Sequence, residues 1–74
     1  MKKQERIPSY RMIWGKIRYF QILHQMSDIQ LAAFLNVGVR TLSDYDKDAK
    51  NITLDKVENF LAANNLQLTD LISL

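Results

Sequence analysis

Residues 27–46, with the sequence SDIQLAAFLNVGVRTLSDYD, contain the local signals that decide how this chain folds. Ser27 is a favoured residue immediately before a helix, and Gln30 three positions later completes the pattern in which two such residues cap each other. Asn36 tolerates the left-handed backbone conformation that a tight turn requires. The stretch therefore predicts two short helices joined by a turn, the second of them at residues 39–46.

Helical periodicity continues on both sides of this stretch. Before it, residues 10–25 carry apolar side chains at spacings of three and four, which predicts a helix. Residues 8–9, immediately before this segment, are typical of a helix start. After it, a helix at residues 54–64 follows a cap at Thr53, and a last turn follows a cap at Thr69. The side chains expected to face the core are Ile13, Ile17, Phe20, Leu23, Leu31, Ala32, Leu35, Leu42, Tyr45, Leu54, Val57, Phe60 and Leu61.

The composition narrows the class of protein. The chain has 74 residues, is 47% hydrophobic and contains two glycines, one proline and no cysteine. This composition, together with the helical periodicity, predicts one compact all-α domain of five helices at residues 9–74. A basic tail at residues 1–8 precedes the domain. Disulfides and thiolate metal sites are excluded, and no apolar run approaches the length of a membrane span or a signal peptide. We therefore expect a cytoplasmic protein without membrane contact.

The net charge of +2 is unevenly distributed along the chain. Residues 1–18 have a balance of +5, whereas residues 19–74 have a balance of −3. Lys2, Lys3 and Arg6 either attract nucleic acid electrostatically or form a solubilising tail.

Catalysis is not expected. His24 is the only histidine, and its place near a helix end suits a charge–dipole contact better than acid–base chemistry. The serines have no base at a suggestive spacing. Asp44, Asp46 and Asp48 alternate as in a calcium loop, but the glycine and the distal glutamate of such a loop are missing. We expect no metal, no cofactor and no small-molecule substrate.

Two longer stretches resemble a known family. GKIRYFQILHQMSDIQLAAFLNVGVRTLSDYDKD (15–48) resembles the helix-turn-helix of the Cro and lambda-repressor-like (XRE) regulators, and ITLDKVENFLAANNLQLTDL (52–71) resembles their fourth and fifth helices. The resemblance implies a lambda-repressor-like DNA-binding domain with its helix-turn-helix at residues 27–46. Members of this family are mostly phage and plasmid transcription regulators that bind palindromic operators as dimers.

The resemblance also implies where contacts would be made. The recognition-helix positions that meet DNA bases in the family correspond here to Gly38, Val39, Arg40, Ser43 and Asp44. Among these, Arg40 alone offers the paired hydrogen bonds to guanine that dominate major-groove reading, unless it is simply a solvated surface charge.

Other positions depart from the family pattern. In the family, a glutamine commonly opens the second helix and lies against a DNA phosphate. This chain has Asp28 at that position, with Gln30 in the same first turn. The Asp28 carboxylate suits the positive end of the helix dipole but would repel a phosphate. A common Arg–Glu pair between the first and third helices becomes Gln21 and Asp46, which predicts a hydrogen bond in its place.

These departures favour a protein partner over direct DNA binding. Around the predicted helix-turn-helix only Arg40, Lys47 and Lys50 oppose the four carboxylates Asp28, Asp44, Asp46 and Asp48. The size and pattern are similar to the phage antirepressors called modulators of repression. The resemblance implies that the chain binds the cognate repressor, at its DNA-binding domain, and so controls the lysogenic–lytic switch in a bacterial host.

Three alternatives remain open at this point. The first is Cro-like binding of operator DNA as a dimer, alone or together with the repressor, and the second is an oligomerisation module that uses the same fold. The third concerns Tyr10, Trp14 and Tyr19 of the first helix. Trp14 and Tyr19 lie off the main apolar stripe, which predicts partial exposure. The three aromatic residues recur near helical spacing and suit a partner contact, whereas the other interpretation places Trp14 at the bottom of the core.

Overall fold

Within residues 6–74, which the computed structural model describes, the chain forms five α-helices, one 3-10 turn and no strand. The helices are α1 (Ser9–Leu23), α2 (Asp28–Leu35), α3 (Val39–Lys47), α4 (Leu54–Ala63) and α5 (Leu68–Ile72), and the 3-10 turn is Ala49–Asn51. The all-α prediction is confirmed. In this part of the chain no helix is both long and apolar enough to cross a membrane. Lys2 and Lys3, which the charge prediction included, lie outside the described residues.

The start of α2 and its end have the local structure that the sequence predicts. The Ser27 hydroxyl accepts a hydrogen bond from the Gln30 backbone N–H (3.1 Å), and the Gln30 side chain accepts one from the Ser27 N–H (3.0 Å). Asn36 ends the helix with φ 62° and ψ 48°, in the left-handed region. Short-range chemistry therefore fixes both ends of α2.

Several other helix ends differ from the predictions. α1 ends at Leu23, two residues early, because Gln25 adopts φ 51° and turns the chain. α5 begins at Leu68, where the Asp70 carboxylate accepts a hydrogen bond from the Gln67 N–H (2.9 Å), so the expected cap at Thr69 is wrong. Thr53 does precede α4, but its hydroxyl donates to Asp55 instead of capping the helix.

The core lies where α4 packs on α2 and where α1 packs on both α5 and the 3-10 turn. Because α1 packs on both α5 and the 3-10 turn, its buried face, which includes Trp14 and Gln21, is rotated from the predicted stripe. Trp14 is 5% exposed, which corrects the expectation of partial exposure, whereas Leu23 and Leu54 are largely exposed and do not belong to the core. The fully buried large side chains are Ile17, Leu31, Leu35, Leu42, Phe60 and Leu71.

Candidate interaction surface

The turn between α2 and α3 is held by backbone and side-chain hydrogen bonds. The Asn36 N–H donates to Ala33 O (3.1 Å), and the Val37 N–H donates to Ala32 O (3.0 Å). Lys56 of α4 donates to the Asn36 carbonyl (3.2 Å), a contact between residues 20 positions apart that no local sequence pattern predicts. Ala32 is buried at 3% exposure, and α2 and α3 contact each other on the two sides of this turn.

One face of α3 is polar and exposed along its whole length. Leu42 and Tyr45 point into the core, so the residues on the opposite side face solvent. This outer face comprises Arg40, Ser43, Asp44 and Lys47, at the three- and four-residue spacing that aligns side chains on a helix. Val39 adds an apolar side chain, 45% exposed, at its beginning. Lys47 was absent from the predicted site residues, although its spacing of three from Asp44 indicated it.

Gly38 precedes α3 in an ordinary extended conformation, with φ −79° and ψ 159°. A Cβ placed on this residue would meet no atom within 4 Å. Neither the backbone conformation nor a clash at the Cβ position therefore demands glycine here, at the position before the helix where capping residues are favoured. The glycine leaves the surface beside Val39 without a side chain.

Arg18 of α1 forms hydrogen bonds with both α2 and α3. Its guanidinium forms two hydrogen bonds to Asp46 of α3, from Nε to Oδ1 (3.1 Å) and from Nη2 to Oδ2 (2.8 Å). Nη1 donates to Asp28, the first residue of α2 (2.9 Å), and to the Gln21 side chain (2.6 Å). The guanidinium also lies 5.3 Å from the centre of the Trp14 ring. One side chain thus connects three helices, and the sequence analysis had not assigned it this role.

The predicted hydrogen bond between Gln21 and Asp46 is not formed among the described residues. The Gln21 amide instead donates to Asp28 Oδ1 (2.7 Å) and to the Met26 carbonyl (3.1 Å). Asp46 accepts from Arg18 and from Trp14 Nε1 (2.8 Å). The link between α1 and α3 therefore exists, but an arginine one turn earlier in α1 provides it.

These contacts shift the protonation equilibria of the two carboxyls. Hydrogen bonds from Gln21 and then Arg18 lower the pKa of Asp28, and the hydrogen bonds from Arg18 lower the pKa of Asp46. The same pairing with Asp46 raises the pKa of Arg18 against the smaller opposing effect of burial. All three groups are consequently charged at neutral pH.

Arg18 changes the charge balance of the surface. Its two ion pairs, with Asp28 and Asp46, are the only ones between side chains in residues 6–74. With Arg18 included, the cations Arg18, Arg40, Lys47 and Lys50 equal in number the carboxylates Asp28, Asp44, Asp46 and Asp48. The acidic surface expected from sequence is therefore close to neutral. A neutral surface gains little from counterion release on a phosphate backbone.

We define the α2–α3 surface as the start of α2 (Asp28 and Gln30), Gly38 and the outer face of α3. It contains no group of three or more histidine, cysteine, aspartate or glutamate side chains arranged to hold a metal, and residues 6–74 contain no such group elsewhere. Comparison with protein-family models, with curated proteins and with solved structures gives no significant match to the chain.

Proposed function

We propose that this chain is a lambda-repressor-like helix-turn-helix regulator from a phage-type genetic switch, and that it acts by binding the cognate repressor. In this proposal α2 and α3 form the helix-turn-helix and α3 is the recognition helix. The α2–α3 surface meets the DNA-binding domain of the repressor and blocks its access to the operator. The protein is accordingly an antirepressor.

The charge pattern of α3 is the observation that carries this proposal. Arg40, Asp44 and Lys47 alternate in sign along one exposed face, and Val39 supplies an apolar anchor at its end. Such a mixed face suits another protein, where opposite charges can be matched one by one. A phosphate backbone presents one sign of charge, and Asp44 would be repelled by it.

Gly38 supports a close approach at the same place. Helix N-caps favour serine, threonine, asparagine or aspartate, and a Cβ at position 38 would meet no atom within 4 Å. A partner whose backbone lies against the beginning of α3 would explain the glycine. Gly38→Ser should then leave folding stability equal or slightly higher and weaken the complex, which separates a binding role from a structural one.

Direct operator binding as a dimer is the second candidate, and Arg40 is the observation that favours it. Its guanidinium is exposed on α3 and forms no ion pair among the described residues, so it is available to guanine. In that case Arg40→Ala should weaken specific binding by ~1–3 kcal/mol. Affinity should also fall steeply as salt is added. Asp28→Gln would strengthen DNA binding by removing a carboxylate from the start of α2.

A gel-shift titration of the operator region distinguishes the two candidates. It compares this protein alone, the repressor from the neighbouring gene alone, and the two together. An antirepressor gives no specific shift alone and abolishes or alters the shift of the repressor. A specific shift by this protein alone, lost in Arg40→Ala, would instead establish direct operator binding and overturn the proposal.

Two charge and polarity changes test the surface itself. Val39→Asp and Asp44→Lys should abolish the complex with the repressor while the far-UV circular dichroism stays helical. Matched controls are Ile22→Asp on α1, an aliphatic residue 71% exposed, and Glu58→Lys on α4, an exposed carboxylate. Full binding by both surface variants would exclude α3 as the contact.

A further inference from the structure

Arg18 occupies an unusual place beside the α2–α3 surface. Its side chain is 25% exposed, whereas those of its two partners, Asp28 and Asp46, are 53% and 46% exposed. The carboxylates thus face outward and the guanidinium lies behind them. Asp28 is the first residue of α2 and Asp46 lies in the last turn of α3. The two contacts therefore hold the first and the last turn of the segment formed by α2 and α3.

We propose that Arg18 is the positioning residue of the α2–α3 surface: it fixes α2 and α3 relative to α1 and thereby sets the geometry in which they meet a protein partner. The inference rests on the proposed function, because its consequence is measured as affinity for the repressor. Arg18 itself makes no contact with the partner in this proposal and acts through Asp28 and Asp46.

The planar guanidinium is suited to this task. It makes hydrogen bonds to Asp46, Asp28 and Gln21 at once, and its Cζ lies 5.3 Å from the centre of the Trp14 ring. An ammonium group acts as a single point charge and would hold one carboxylate well at a time. A surface held in its binding geometry loses less conformational entropy when the complex forms.

The experiment measures repressor affinity and Trp14 fluorescence for the wild type and three variants. Arg18→Gln removes the charge and the fork, Arg18→Lys retains the charge alone, and Arg11→Gln is the matched control, an exposed arginine two turns earlier in α1. Trp14 is the only tryptophan, and its Nε1–H donates to Asp46, so its emission reports the junction directly.

We expect Arg18→Gln to bind roughly tenfold more weakly, with altered Trp14 emission and an unchanged helical spectrum, and Arg18→Lys to lie between it and the wild type. Arg11→Gln should match the wild type in both measurements. If Arg18→Gln fails to fold, the intermediate affinity of Arg18→Lys carries the test. In the background of Asp46→Asn, Arg18→Gln should cause a much smaller further loss, since its main link to α3 is already broken.

The outcomes separate the two proposals. A wild-type protein that does not bind the repressor refutes the proposed function. Wild-type binding together with full affinity in Arg18→Gln or Arg18→Lys, despite altered Trp14 emission, refutes only the positioning role of Arg18. Equal losses in Arg18→Gln and Arg11→Gln would also refute it, because general charge would then account for the effect.

Discussion

Replacing Asp46 with asparagine should destabilise the fold by about 1 kcal/mol, at the upper end of the range for exposed ion pairs. The substitution keeps the Oδ1 atom that accepts from Trp14 but removes the charge that holds Arg18 by two hydrogen bonds of 3.1 and 2.8 Å. The two side chains are 25% and 46% exposed, so solvent screens the pair and a larger effect is not expected. For a domain of this size the loss corresponds to a fall in Tm of about 4–8 °C.

The pH dependence gives the same prediction a second, independent measurement. Because the pKa of Asp46 is lowered in the folded state, its stabilisation is complete above the unfolded-state pKa of about 3.9 and is lost as the pH falls through the folded-state pKa. The difference in unfolding free energy between wild type and Asp46→Asn should therefore be constant near neutral pH and disappear in acid. About 1 M salt should reduce it as well.

Urea and thermal unfolding followed by far-UV circular dichroism provide the assay. The matched control is Asp44→Asn, the same substitution on the same helix at an exposed carboxylate that forms no ion pair within residues 6–74. The control should change stability by less than about 0.5 kcal/mol. Equal effects of the two substitutions, or a loss in Asp46→Asn that persists unchanged in acid, would refute the assignment of this stabilisation to the Arg18 pair.

Three further substitutions test the fold. Leu42→Ala should destabilise the domain by ~2–5 kcal/mol, because Leu42 is 1% exposed and truncation leaves a cavity; a smaller loss in urea unfolding would contradict the packing of α3. Ser27→Ala should lower stability by ~1 kcal/mol through loss of the cap on α2, and the same titration at neutral pH measures it. Gln25→Gly should raise Tm, with a gain of ~0.5–1 kcal/mol in the free energy of unfolding. Gln25 has φ 51°, a left-handed conformation that strains a residue with a side chain but not glycine. A fall in Tm would show that the Gln25 side chain stabilises the fold by more than this strain costs.

The helices and the ends of α2 were predictable from sequence because local interactions decide them. The capping pair Ser27–Gln30 and the left-handed Asn36 involve neighbours along the chain, and the structure has both as predicted. The exposed positions of α3 followed from its strong periodicity. Local interactions do not decide function in the same way. The regulator class, the partner and the site residues are proposals, and the gel-shift and affinity experiments test them.

What only the tertiary structure decided depends on residues far apart in sequence. Arg18 and Asp46 are separated by 28 positions and meet only when α1 packs beside α3. The resemblance placed the link to Asp46 at Gln21, and the sequence did not reveal that the arginine one turn earlier reaches both helices. Trp14 is buried for the same reason, since α1 has neighbours on two sides and its own periodicity cannot show their positions. Local chemistry fixed the helices, and packing fixed which charges face each other.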